Sequence, residues 1–87
     1  MKLSDLGATF MASLPVGDII RLRREQKGLS QVALADASGL SSQYISLLEL
    51  GRNPSLDTLS SLAASLGCKV SDIILDAEER LNRQGQS

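Results

Sequence analysis

Gly39 divides the stretch SQVALADASGLSSQYISLLELG, residues 30–51, into two short runs that each begin on a serine. Ser30 is placed to cap a first helix by accepting from an orphan backbone N–H, and Val32, Ala33, Leu34, Ala35 and Ala37 behind it are helix-forming and mostly apolar. The run stops at Ser38-Gly39, where glycine permits the positive φ of a sharp turn. Ser41 then caps a second helix over residues 42–49. On a helical wheel Ile45 and Leu48 share one face with Glu49 beside them, whereas Gln43, Ser46, Leu47 and Leu50 point the other way. The second helix therefore buries one stripe and offers a small, largely uncharged surface outward.

The flanking sequence supplies three more helices. The first is expected over residues 16–27, with Ile19 and Ile20 inward and Gly28 closing it. After Gly51 the loop Arg52-Asn53-Pro54-Ser55 is polar; Pro54 disfavours helix at Asn53, and Ser55 is placed to cap the fourth helix. That helix, Leu56–Leu66, repeats Leu59, Leu62, Ala63 and Leu66 at spacings of three and four before Gly67 ends it. The fifth is expected from Ser71, with Asp72 near its positive end, through Ile73, Ile74 and Leu75. Leu81 marks the furthest extension, and residues 82–87 read as a loose tail. The fold class is thus all-α, with one five-helix domain over residues 16–81. Residues 1–15 form an extension in which Leu3, Leu6, Phe10 and Leu14 recur at near-helical spacing before Pro15, with Ser4 a candidate cap. Two readings of it stand: a frayed terminus, or an arm packed on its own domain or on another protein chain.

Composition removes several classes of chemistry. With one cysteine and no histidine there is no zinc finger, no His-based catalysis and no disulfide framework, which suits a reducing cytoplasm. No metal or cofactor site is expected. The serines lack a histidine partner, the carboxylates are scattered, and no glycine-rich phosphate loop joins a strand to a helix, so no enzyme is expected. Cys68, just past Gly67, reads as a small buried filler. Neither a signal peptide nor a membrane span is expected of the first 20 residues, where Asp5, Gly7 and Pro15 interrupt the apolar positions. In 87 residues, 43% apolar with one Phe, one Tyr and no Trp, the core is aliphatic and thin, and oligomerisation would help it. The net charge of −1 is unevenly spread. Between residues 21 and 52, Arg21, Arg23, Arg24, Lys27 and Arg52 outnumber Glu25, Asp36 and Glu49, while acidic residues prevail from Asn53 onward. A sided molecule would turn the first surface toward phosphates.

The run G-L-S-Q-x-x-L-A at residues 28–35, the turn G-L-S, and then Y-I-S-x-L-E-x-G and R-N-P-S-L together resemble the DNA-binding domain of the phage lambda repressor and Cro family, the Xre type. The likeness covers residues 16–75. It implies a five-helix domain whose third helix lies in the DNA major groove, with Ser42, Gln43 and Ser46 at the base-reading positions. Gln can pair bidentately with adenine, which makes Gln43 the first candidate for discrimination. Gln31 stands where the family uses an amide to hold a phosphate and brace the recognition helix. Tyr44 on the helix flank, with Arg52 and Asn53 in the following loop, would meet the DNA backbone. Arg24 and Glu49 occupy the positions of a structural ion pair. The chain departs from the pattern at Leu47 and Leu50, where relatives carry basic or polar residues; Leu47 is then a base contact through a thymine methyl, and Leu50 packs against the following loop.

The resemblance implies a cytoplasmic, bacterial or phage-encoded regulator, a repressor or an autoregulatory controller, bound as a homodimer to an inverted-repeat operator in double-stranded DNA. The dimer is expected to form through Ile73, Ile74 and Leu75, because three consecutive aliphatics span more of a helix than one buried stripe can cover. Two other readings remain open. An antitoxin would bind DNA and also hold a protein partner through the N-terminal extension, and an interaction domain without DNA binding would suit the acidic overall balance.

Overall fold

The structure, a computed structural model, describes residues 14–85. The expectations for residues 1–13 lie outside the described residues. Among the described residues five helices follow in order: α1 (Val16–Gln26), α2 (Gln31–Ser38), α3 (Ser42–Glu49), α4 (Leu56–Leu66) and α5 (Val70–Gly85).

Three of these helices open on a serine that accepts a backbone N–H three residues on. Ser30 Oγ accepts from Ala33 N at 3.0 Å, Ser41 Oγ from Tyr44 N at 3.1 Å and Ser55 Oγ from Thr58 N at 3.1 Å. Each cap satisfies one of the donors a helix start leaves unpaired and is worth about 1 kcal/mol. Gly39 ends α2 at φ 74°, the left-handed conformation that lets Leu40 N turn back to Ala35 O at 3.0 Å and sends the chain directly into α3. The sharp turn inferred from Ser38-Gly39-Leu40 is therefore built on that one residue.

Burial follows the apolar periodicity. Ile20 of α1, Leu34 of α2, Ile45 and Leu48 of α3, Leu62 of α4 and Ile73 of α5 are fully enclosed and meet in one core, with Leu14 also buried against it. Each such side chain contributes about 1.5–3 kcal/mol relative to solvent exposure. α1 packs against α3, α4 and α5, and α2 against α3 and α4. The short α2 and α3 thus sit on a platform of the three longer helices. Cys68 is half-buried at the edge of this core, and burial pushes its thiol above the ordinary value.

α5 departs from the sequence reading at both ends. It starts at Val70, one residue early, with Asp72 Oδ2 accepting from Lys69 N at 2.9 Å. It continues to Gly85, so residues 82–85 are helical and not part of a loose tail. Ile73, Ala77 and Leu81 recur every four residues and keep the helix on the core, the first two buried and the third half-buried. The trio assigned to a dimer surface is also divided. Ile73 is enclosed within its own chain and unavailable to a partner, Ile74 is partly covered, and Leu75 is 56% exposed.

Candidate nucleic-acid interface

α3 is held from two sides by its last residue. Arg24 of α1 donates from Nε to Glu49 Oε2 at 2.7 Å and from Nη2 to Glu49 Oε1 at 2.9 Å, a bidentate pair whose side chains are only 12% and 5% exposed. Arg24 Nη1 also donates to the carbonyl of Leu29 at 2.9 Å, which fixes the chain just before α2. Gln31, the first residue of α2, donates from Nε2 to Glu49 Oε1 at 3.1 Å. The hydrogen bonds with Glu49 hold the Arg24 guanidinium above its already high pKa against the opposing effect of burial. One carboxylate therefore joins α1, α2 and α3.

A second feature of this contact was not legible from the motif. At Gly17 the backbone of α1 approaches the end of α3 so closely that a Cβ would fall onto the Leu48 carbonyl oxygen. A glycine between Val16 and Asp18, in the first turn of a helix, gives no signal of its own in one sequence.

The outward side of α3 carries the residues assigned to base reading. Gln43 and Leu47 are exposed, and Ser42 and Ser46 are half-buried beside them. Ser42 Oγ lies 3.5 Å from Gln43 Oε1, a long contact that leaves the amide able to seek a better partner. The one charged residue of α3, Glu49, is turned inward, so this face is uncharged. Leu47 is 44% exposed, and Leu50, just past the helix, is 82% exposed rather than packed on the loop as expected.

The backbone-contact candidates lie around this face. Tyr44 is half-buried, and the Arg52 guanidinium stands over its ring at 5.9 Å from the centroid. Arg52 N bonds Leu47 O at 3.0 Å and Gly51 N bonds Leu48 O at 3.0 Å, so the loop is pinned to the last turn of α3. Arg52 and Asn53 are both exposed there.

The local excess of positive charge is smaller than the sequence count suggests. Arg23 donates from Nη2 to Asp76 Oδ2 of α5 at 2.7 Å, Arg24 is committed to Glu49, and Arg21 lies 3.8 Å from Glu25. Among the described residues, Lys27 and Arg52 are the two of the five without an ion pair. Arg80 Nε adds an ion pair to Asp18 Oδ2 at 3.2 Å, so α1 and α5 are bridged twice. No group of His, Cys, Asp and Glu among the described residues is arranged to hold a metal ion, and no single helix there is long and apolar enough to cross a membrane.

Comparison with known proteins agrees with this geometry. The family model described as helix-turn-helix matches residues 20–73. The immunity repressor protein of Bacillus phage phi105 is 40% identical over 75 residues, 85% of this chain and 51% of the repressor, so the chain spans about half the length of that relative. The clp gene regulator ClgR from Corynebacterium glutamicum superposes with a TM-score of 0.81 at 32% identity, covering 86% of this chain and 81% of that one. SinR, a master regulator for biofilm formation solved in complex with DNA, gives a TM-score of 0.63 at 33% identity over 67% of this chain and 95% of its own. The capped helix pair joined at Gly39, the carboxylate that ties it to α1, and these matches together place the chain in the helix-turn-helix family of the lambda repressor and Cro, or Xre, type.

Proposed function

We propose that this chain is a sequence-specific DNA-binding transcriptional regulator, a repressor or autoregulatory controller that acts in the cytoplasm of a bacterial cell. One observation carries the reading above the others: the outward face of α3 is uncharged and polar-to-apolar, while its single acid is consumed by Arg24 and Gln31. An ordinary solvated helix face would carry Glu and Lys; a face meant for base edges needs amide, hydroxyl and methyl-sized groups. Ser42, Gln43, Ser46 and Leu47 then meet base edges in the major groove. Gln31 has one amide hydrogen on Glu49 and a second left for a phosphate oxygen. Tyr44, Arg52 and Asn53 hold the backbone on the flank.

An eight-residue recognition helix is about 12 Å long and reaches few base pairs, so a two-fold pair of chains is the economical route to a specific site. Leu75 and the uncovered part of Ile74 are the apolar surface that such a homodimer would bury. Its recognition helices would enter successive major grooves about 34 Å apart, on an inverted repeat. Selection from random duplex DNA tests the whole reading. Recovery of a two-fold symmetric sequence with half-sites about one turn apart is the expected result, whereas an unenriched pool would assign the domain to protein interaction instead.

A further inference from the structure

Leu47 stands one turn beyond Gln43 on the face of α3 that carries no charge, between Ser46 and the loop of Arg52, with 44% of its surface exposed. A leucine gains nothing from a phosphate, and hydrogen-bonding atoms on base edges reward it no better. The apolar group that a base pair presents in the major groove is the 5-methyl of thymine, and methylated cytosine presents the same group at the same carbon. Leu50 is more exposed but lies past the last helical residue, beside the loop of Arg52 and Asn53. Leu47 is the apolar residue set among the polar side chains Gln43 and Ser46.

We infer that Leu47 reads a pyrimidine 5-methyl group, that of thymine, in each half-site. The inference rests on α3 being the helix that enters the groove. Four residues of helix rise about 6 Å, so Gln43 and Leu47 address base pairs about two steps apart along the groove. The half-site would then place a thymine methyl about two base pairs from an adenine held by the Gln43 amide. Closing a leucine over that methyl removes both from water without requiring a new charge.

The test begins from the duplex that selection yields. Deoxyuridine replaces deoxythymidine at each half-site position in turn, which deletes one methyl and leaves every hydrogen-bonding group in place. Binding of the wild-type chain should weaken about fourfold per half-site at one position, the effect of one methyl-sized group. Leu47→Ala should bind the two duplexes equally while keeping its preference for the Gln43 adenine, with Leu47→Met retaining the methyl dependence and circular dichroism reporting that both variants fold. Replacing that thymine·adenine pair by 5-methylcytosine·guanine should restore part of what cytosine·guanine loses if the methyl alone is read; no restoration alongside a deoxyuridine penalty assigns the contact to thymine. Tight binding indifferent to every deoxyuridine, or a penalty that persists in Leu47→Ala, would overturn the inference and leave the proposed function intact. Failure to select any duplex would reject that function and this contact together.

Discussion

Glu49 accepts from Arg24 Nε, Arg24 Nη2 and Gln31 Nε2 while almost enclosed by protein, which makes it the residue whose loss leaves the most behind. Removing one partner of a buried pair strands the other charge and typically costs about 3–5 kcal/mol, whereas removing both costs less than the sum. Arg24→Met and Glu49→Gln should each lower stability by more than about 2 kcal/mol in urea denaturation. The double variant should lie closer to wild type than the two losses added, and zero coupling would remove the pair from this account. The Arg24 and Glu49 pairing was legible only through the family resemblance, because nothing local links residues 25 apart in sequence. Arg23 with Asp76 and Arg80 with Asp18 had no motif to reveal them, and they altered the electrostatic picture by consuming charges that a linear count treats as free.

α3 is positioned by an approach between helices as well as by hydrogen bonds. Adding a methyl at Gly17 pushes against the Leu48 carbonyl, a backbone atom that cannot rotate aside, so Gly17→Ala should destabilise by about 1–3 kcal/mol despite its better helix propensity. Thermal unfolding checks this, and a rise in Tm would mean that the two helices sit further apart. α2, α3 and α4 were readable because a serine cap is local chemistry, and α1, which has no side-chain cap, was readable from its buried isoleucines and from Gly28 just past its end. α5 was read too short. Its polar stretch conceals a stripe of Ile73, Ala77 and Leu81, and its charged side chains Asp76 and Arg80 are used to bridge to α1. Composition pointed to a tail at residues 82–85, where tertiary packing of the preceding turns carried the helix on.

At the scale of the whole molecule, association and DNA binding are distinct expectations. Leu75→Asp places a charge on an exposed residue, so it should leave the fold intact and convert a sedimenting dimer to monomer at micromolar concentration, while Ile73→Asp should unfold the chain outright. An unchanged mass for Leu75→Asp would move the interface elsewhere. With Lys27 and Arg52 the two unpaired cations of the 21–52 stretch, affinity should depend less on salt than the basic count implies. In the proposed complex α3 reads bases while the loop after it grips the backbone. Fluorescence anisotropy on the selected operator and on a scrambled duplex, across a salt series, separates these two roles. The wild-type chain should prefer the operator by about 10³-fold or more. Gln43→Ala should relax that preference at one or two base pairs of each half-site. Arg52→Ala should weaken both duplexes alike and make the logarithmic salt slope shallower by about one per chain. Equal wild-type affinity for the two duplexes, or the effects of Gln43 and Arg52 exchanged, would contradict the account.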